Sequence, residues 1–297
     1  MRELFSAAEG WQVPRIPVGE WFEAVLDWLE TTLGDVFDGL DTAIKESVAW
    51  LSELLQWPPS WVMFIVFALL ALWVRGWKFG LATLIGFAVI DGLNAFDGAM
   101  ETLSIVLIAG IVAILIAIPI GILAARSQVA SRIIKPVMDF MQTLPQFIYL
   151  IPAVSLFSVG AGAGLVATVA FSIPPGVRLT ELGIRQVDKE MVEAGEAFGS
   201  PPRKILTGIQ IPLAMPSIMA GVNQIIMLSL SMVVIGGMVG APGLGASVFE
   251  AVTRLQLGAG FEYGLGVVIL AIYLDRFTSA LAARSAVNRA RRLAGTA

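Results

Sequence analysis

Long apolar segments recur along this chain and constrain its fold more than any other feature. The clearest run lies between Met100 and Ala125 and contains a single charged residue, Glu101. A helix needs about 20 mainly apolar residues to cross a bilayer. The chain is 57% hydrophobic and only 14% charged, which is unlike an ordinary soluble domain. The sequence therefore predicts an all-α integral membrane protein.

Seven segments are predicted to be transmembrane spans, and the second is the shortest. They are Ser60–Val74, Phe79–Ile90, Met100–Ala125, Val137–Ser158, Gly162–Val177, Ser217–Gly240 and Gly264–Ala283. With the N-terminus outside, most of the 19 Lys and Arg residues fall on inner segments, as the positive-inside rule requires. A six-span arrangement that drops one early segment would put the acidic tail inside or break this alternation. We therefore expect a multi-pass membrane protein with its N-terminus outside and its C-terminus in the cytoplasm.

Residues 1–58 form an acidic tail whose only basic residues are Arg2, Arg15 and Lys45. Apolar residues recur there in steps of three and four, which predicts an amphipathic helix with a break near Gly34 or Gly39. We expect this helix to lie on the outer surface of the membrane or against the bundle. A scaffold with no role in transport is the simpler interpretation of the tail.

Several kinds of chemistry are excluded by composition. The chain has no cysteine and no histidine, which removes disulfides, thiolate metal sites and His-based catalysis. None of its five lysines follows a glycine, so there is no phosphate-binding P-loop. We therefore predict no catalytic residue, metal or cofactor, and any use of ATP requires a separate nucleotide-binding partner.

One polar segment between two apolar ones has the pattern of helix, corner and helix. Helical spacing over Ile184–Phe198 is followed by Gly199, which suits a helix stop. Ser200 is predicted to be the next N-cap and Pro201 the first helical residue. The following span then begins at Pro212. A capped corner of this kind on the cytoplasmic side indicates a docking surface rather than a flexible linker.

The spacing within this segment resembles the cytoplasmic EAA signature of ABC importer permeases. Two positions depart mildly from it, with Gly195 in place of Ala and Ile211 in place of Leu. In that family the loop forms a coupling helix held in a cleft of the ATPase subunit. The resemblance implies the following ATPase-coupling residues: Glu193, Ala194, Gly195, Gly199, Ser200, Pro201, Arg203, Ile211 and Pro212.

The resemblance extends over roughly residues 60–285 to the permeases of glycine betaine/proline (ProU-type) importers. The segments that carry it are residues 141–187 ("MQTLPQFIYLIPAV…"), 218–245 ("IMAGVNQIIMLSL…") and 260–278 ("GFEYGLGVVILAIYLDRFT"). It implies a MetI-like permease core that imports a compatible solute such as glycine betaine, choline, proline or a related methylamine. It also implies a protein of the bacterial inner membrane with a periplasmic N-terminus and a cytoplasmic C-terminus. Implied partners are cytoplasmic ATPase subunits, a separate periplasmic solute-binding protein, a second copy of the chain and the lipid bilayer, with no nucleic acid.

Four regions follow from these expectations. They are the acidic tail 1–58, an N-terminal transmembrane hairpin 59–98, a permease core 99–284 that contains the coupling loop 178–211, and a basic cytoplasmic tail 285–297.

Neutral polar residues within the spans are the candidates for a solute path. They are Gln142, Gln146, Tyr149, Asn223, Gln224, Ser229 and Ser231. Buried amides need partners, so a role in joining helices is as compatible with the sequence as a path lining. The glycine-rich stretch 237–245 either meets the binding protein, as the resemblance implies, or only ends a helix.

Two other classes of function remain open at this stage. An ion-coupled secondary transporter of a small zwitterion needs an acidic residue near mid-membrane, and Asp275 is the nearest candidate. A membrane scaffold that transports nothing has no need of the capped corner or of amides in the spans.

Overall fold

The computed structural model describes residues 15–283, and within that range the chain is helical throughout, without strands. The predicted basic tail 285–297 and the first fourteen residues of the acidic tail lie outside the described residues. The first six helices are α1 Val18–Gln56, α2 Ser60–Arg75, α3 Trp77–Gly92, α4 Phe96–Arg126, α5 Gln128–Thr143 and α6 Leu150–Phe157. The next six are α7 Ala161–Arg185, α8 Lys189–Ala197, α9 Pro202–Ile205, α10 Ile211–Gly236, α11 Leu244–Thr253 and α12 Leu257–Ala283.

The N-terminal helix α1 is continuous over 39 residues, so the prediction of a break near Gly34 or Gly39 is wrong. A glycine inside a helix costs only about 1 kcal/mol relative to alanine. No neighbouring group lies within 4 Å of the point where a side chain would start at either glycine. No close contact at either glycine forces the backbone to bend, and the helix continues through both positions.

Aromatic and apolar contacts hold the second half of α1 against the bundle. Phe37 meets Phe157 edge to face, with 5.5 Å between ring centroids, and Val48 is buried in the main core. In the first half Trp21 and Trp28 are exposed. The acidic tail is thus a helix that is anchored at one end and carries apolar surface at the other.

Helices α2 and α3 form a hairpin closed by Gly76, whose φ of 95° is unfavourable for other residues. Phe67 of α2 stacks on Phe87 of α3 at 4.6 Å, and Tyr273 of α12 meets Phe87 edge to face. This aromatic cluster fixes the hairpin against α12.

Four continuous helical segments in the described range are long and apolar enough to cross a membrane. These are α4, α7, the run Pro202–Val239 and α12. Two bent pairs, α1 with α2 and α5 with α6, raise the number of candidate spans to six. Helix α3, with 16 residues, is shorter than these segments. The expected number of seven spans stays a prediction.

The centre of the bundle is formed by α4, α7 and α10, whose backbones approach closely. A side chain at Gly176 of α7 would start 2.5 Å from the Ile225 Cδ1 atom and 2.8 Å from the Ala117 Cβ atom. Small residues at such contacts are the usual means by which helices associate in lipid. The apolar core therefore depends on glycine and alanine as much as on large side chains.

The predicted fourth span, Val137–Ser158, contains a sharp bend. Helix α5 ends at Thr143, and after a 3₁₀ turn over Gln146–Tyr149 the chain continues as α6 at 111° to α5. The cause is Pro145, because the residue before a proline is driven out of the helical region. Leu144 accordingly has an extended ψ of 132°.

Candidate functional site

The polar segment forms an angular structure, here called the elbow, which comprises residues 186–212. Its first helix, α8, is capped by Asp188, whose Oδ1 atom accepts a hydrogen bond from the Glu190 N–H at 3.1 Å. At its end the Ser200 N–H donates to the Gly195 carbonyl at 3.0 Å and the Gly199 N–H to the Glu196 carbonyl at 2.8 Å. This is a Schellman motif, and the φ of 72° at Gly199 confirms the predicted helix stop.

The start of the second helix is one residue later than predicted. Pro201 takes the N-cap position with an extended ψ of 152°, and Pro202 is the first residue of α9. Pro201 precedes a proline and is therefore excluded from the helix. The backbone N–H of Ser200 belongs to the Schellman motif, and no side-chain hydrogen bond caps α9. The assignment of Ser200 as N-cap and Pro201 as first helical residue is wrong.

The elbow presents one exposed side and one buried side. Glu193, Ala194 and Arg203 are exposed, and Phe198 at the corner is 88% exposed. Gly195 is buried, and a side chain there would start 2.8 Å from the Ile209 Cδ1 atom. An added methyl group at Gly195 would require the Ile209 side chain to shift.

An apolar cluster fastens the buried side of the elbow to the bundle. Leu206 of the elbow packs with Ile184 of α7 and Ile218 of α10, and Ile211 lies against the same cluster. Ile211 and Pro212 are the first two residues of α10. A π-helical turn over Leu206–Gln210 runs directly into that helix. The elbow is thus continuous with the helices it joins.

A row of charged and polar groups connects α5 to α7 beside the elbow, and we call it the charged ladder. It consists of Ser131, Lys135 and Asp139 on α5 and Arg178, Glu181 and Arg185 on α7. The Glu181 Oε1 atom accepts hydrogen bonds from the Ser131 Oγ atom and from the Arg185 Nε atom, each at 2.8 Å. The Lys135 Nζ atom is 3.4 Å from the same oxygen, and Arg178 forms an ion pair with Asp139.

Glu181 is the functional candidate that the sequence predictions missed. Its side chain is only 5% exposed, and its partner Arg185 also donates from Nη2 to the Ala124 carbonyl of α4 at 2.7 Å. One carboxylate therefore ties α4, α5 and α7 together. The sequence does show polar residues four apart at 131, 135 and 139, and another pair with the same spacing at 181 and 185. Such spacing places each set on one face of its helix.

The predicted path residues near the break in α5–α6 have different surroundings. The buried hydroxyl of Tyr149 donates to the Met141 carbonyl, and its ring meets Phe171 edge to face at 5.6 Å. Tyr149 therefore closes the bend. Gln142 is exposed and Gln146 is half-buried on the same segment.

The predicted path residues of α10 separate into two groups. The Asn223 Nδ2 atom donates to the Asp275 Oδ1 atom at 3.2 Å, and Thr278 donates to the Asn223 side-chain oxygen. Asn223 thus joins α10 to α12. Gln224 and Ser231, seven residues apart, are exposed along one face of α10.

Ser229 is fully buried, and its Oγ atom has no hydrogen-bond partner among the described residues. The role of the seven residues as a solute path stays a prediction.

The glycine-rich stretch 237–245 is a site of close backbone contact. A side chain at Gly245 would start 2.5 Å from the Val234 carbonyl oxygen, and one at Gly237 would start 2.3 Å from the Ala246 nitrogen. The Leu244 N–H donates to the Thr102 hydroxyl at 2.8 Å. Packing within the chain is thus a sufficient reason for these glycines.

A family model described as "Binding-protein-dependent transport system inner membrane component" matches residues 117–287. This chain belongs to that family, so it is a multi-pass inner-membrane permease component of a transport system and not an enzyme. The resemblance seen in the elbow and its flanking spans is confirmed, as is the all-α permease fold. The elbow, the charged ladder and the broken α5–α6 segment all lie within or directly beside α7 and α10, in the matched region.

Individual relatives cover nearly the whole chain. It is 46% identical over 267 residues to the glycine betaine transport system permease protein OpuAB of Bacillus subtilis (strain 168), covering 90% of this chain and 95% of the relative. It is 44% identical over 289 residues to the glycine betaine/proline betaine transport system permease protein ProW of Escherichia coli (strain K12), covering 97% and 82%.

A solved structure of the MetNI methionine ABC transporter in inward-facing form matches with a TM-score of 0.57. The sequence identity is 19%, and the match covers 61% of this chain and 91% of that chain. At this identity the likeness concerns the fold alone.

Proposed function

We propose that this chain is the membrane-spanning subunit of an ATP-driven importer of a compatible solute, with glycine betaine as the first candidate. The solute class is supported by the relatives named for glycine betaine transport, which are 44% and 46% identical over most of the chain. Choline, proline and related methylamines are the other solutes included in the proposal. The coupling role is supported above all by one observation, the rigidly capped elbow with an exposed Phe198 at its corner.

In this proposal the elbow docks on a cytoplasmic ATPase subunit through Glu193, Ala194, Phe198 and Arg203. Two copies of the chain form the path, and a periplasmic binding protein delivers the solute from outside. The tail 1–58 lies on the periplasmic side, the hairpin 59–98 precedes the core 99–284, and the coupling loop 178–211 and the tail 285–297 face the cytoplasm.

The contacts of the elbow suggest how its motion reaches the path. The cluster around Leu206 and Ile184 joins it to α7 and α10, and the charged ladder joins α7 to α5 through Glu181. Helix α5 leads directly to the break that carries Gln142 and Gln146. Closure of the ATPases therefore moves the elbow as a rigid body and changes the angle of the broken segment. This switches the path between inward-facing and outward-facing states.

An ion-coupled secondary transporter is a weaker proposal because Asp275 already has partners. It accepts a hydrogen bond from Asn223 at 3.2 Å, and the Arg276 Nε atom is 3.8 Å from its other oxygen. Vesicles that contain only this chain should show no uptake of glycine betaine when a proton or sodium gradient is applied. Uptake under those conditions would favour the rival function.

The coupling role is tested by reconstituting the permease with its ATPase and binding protein and measuring ATP-dependent uptake of radiolabelled glycine betaine. Glu193→Ala removes an exposed docking group, and Gly199→Asp places a charged side chain at the corner, where φ is 72°. Both variants should lose uptake and ATPase association while eluting as folded protein. Glu262→Ala, at an exposed glutamate of α12, is the matched control. Unchanged uptake in both elbow variants would refute the docking assignment.

Orientation is testable without background labelling because the chain contains no cysteine. Ser200→Cys lies at the corner of the elbow and Thr253→Cys at the exposed end of α11. In intact cells a membrane-impermeant maleimide should label only the second variant. Labelling of Ser200→Cys from outside would reverse the proposed topology.

A further inference from the structure

We propose that the notch between the α2–α3 corner and the end of α12 binds the headgroup of an anionic phospholipid through Arg75 and Arg276. The site lies outside the elbow, the ladder and the predicted path residues. The inference does not depend on which solute is carried. It concerns the leaflet that faces the cytoplasm in the proposed orientation.

The notch is a cavity of about 640 Å³ between the last turns of two helices. One wall is the end of α2 with Arg75 and Gly76, and the other is the end of α12 with Arg276 and Ser279. A cavity of this size accommodates a glycerophosphate headgroup. Its position between helix ends, rather than inside the bundle, gives a lipid lateral access.

The described residues that line the notch carry an excess of positive charge. Among the residues that line it, Arg75 and Arg276 are charged and none is acidic. In the described part of the chain no carboxylate lies within ion-pair distance of Arg75, and the one near Arg276 is Asp275 at 3.8 Å. By contrast, Arg185 reaches Glu181 at 2.8 Å. Guanidinium groups bind phosphate oxygens through paired hydrogen bonds, so a phosphodiester is the natural counter-charge.

The surroundings of the notch are those of a membrane interface. Trp73 and Trp77 are both exposed beside the corner, and the Lys78 Nζ atom lies 6.0 Å from the Trp77 ring centroid. Indole rings and basic residues concentrate where acyl chains meet headgroups. The two arginines therefore lie at the depth of lipid phosphates.

Two exposed apolar stripes lead away from the arginines. On α2 the exposed residues Ile65, Leu69 and Leu72 follow one face at helical spacing and end one turn before Arg75. On α12 Val268 and Ile272 occupy the same face as Arg276, each four residues from the next. Acyl chains would lie along these stripes while the phosphate stays in the notch. A free phosphate ion has no apolar part that could contact these stripes.

An anionic lipid fits this arrangement better than a zwitterionic one. The positive headgroup of a phosphatidylcholine would face two arginines without a carboxylate in the lining to receive it. The headgroup of phosphatidylglycerol adds no positive charge. Basic pockets between helices on the cytoplasmic side are a recognised form of anionic-lipid recognition.

The test uses the complete transporter complex in nanodiscs with photoreactive phosphatidylglycerol or phosphatidylcholine of the same acyl chains. Cross-linked peptides are identified by mass spectrometry. Phosphatidylglycerol should label peptides 72–79 and 272–283 in preference to phosphatidylcholine. In Arg75→Gln/Arg276→Gln this labelling should fall roughly tenfold or more, given the attraction of each basic residue for anionic lipid. Arg254→Gln, at an exposed arginine elsewhere in the chain, is the matched control.

Three results would overturn the proposal. They are equal labelling by the two lipids, unchanged labelling in the double glutamine variant, and displacement of the probe by excess inorganic phosphate. The charge-retaining variant Arg75→Lys/Arg276→Lys separates loss of charge from loss of fold. This lysine variant should retain the preference for phosphatidylglycerol. Loss of that preference in the lysine variant would count against a charge-based site.

Discussion

Replacing Glu181 by glutamine tests whether the charged ladder is a stabilising link between α5 and α7. Glutamine keeps the size of the side chain and can still accept the hydrogen bond from Ser131. It removes the negative charge that faces Arg185 and Lys135 at 2.8 and 3.4 Å. The substitution therefore isolates the ionic part of the contact.

The size of the effect follows from how deeply each partner is buried. Breaking a fully buried ion pair by removing one partner costs about 3–5 kcal/mol because the other charge is left without compensation. Glu181 is buried, but Lys135 is exposed and Arg185 is half-buried, so water compensates part of the loss. We expect a cost of about 2–3 kcal/mol. For a chain of 297 residues that corresponds to an apparent melting temperature lower by roughly 3–5 °C.

The assay heats the purified permease in detergent and measures the fraction that still elutes as a monodisperse peak. Glu262→Gln removes an exposed glutamate of α12 and should leave the melting temperature unchanged. In a double-mutant cycle, Arg185→Gln combined with Glu181→Gln should cost less than the sum of the two single variants. Additive costs, or a melting temperature for Glu181→Gln equal to that of the wild type, would show that the ladder carries no coupling energy.

Two further predictions concern contacts between helices. Gly245→Ala should destabilise the fold by about 1–3 kcal/mol because its methyl group would start 2.5 Å from the rigid Val234 carbonyl, whereas Gly258→Ala has open space and should be neutral in the same thermal assay. Asn223→Ala and Asp275→Asn should each lower the melting temperature, and their double-mutant cycle should reveal a coupling of roughly 0.5–2 kcal/mol; independent effects would exclude Asn223 as a link to α12.

The sequence did not show the bend in the fourth predicted span or the exact start of α9. Composition shows that Val137–Ser158 is apolar, but it does not specify the path of the backbone. The 111° bend at Pro145 therefore could not be predicted from it. The start of α9 was misplaced by one residue because two adjacent prolines allow two registers. The extended backbone of Pro201, which precedes a proline, and the hydrogen bond from the Ser200 N–H to the Gly195 carbonyl select the later start.

Local signals were sufficient where the physical cause was also local. The membrane class follows from apolar runs that no soluble fold could bury, and the elbow follows from Gly199, whose positive φ allows the Schellman motif. These features depend on neighbours within a few residues, which a single sequence displays directly. The family resemblance depends on the same local spacings.

Only the tertiary structure determines which polar groups far apart in the chain become partners. Ser131 meets Glu181 fifty positions later, and Asn223 meets Asp275 fifty-two positions later. In a bilayer each such group must find a partner or face a high cost, but the sequence alone does not say which one. The rotation and crossing angles of the helices determine which polar groups meet. They place Asn223 between α10 and α12 and Glu181 at the centre of the charged ladder.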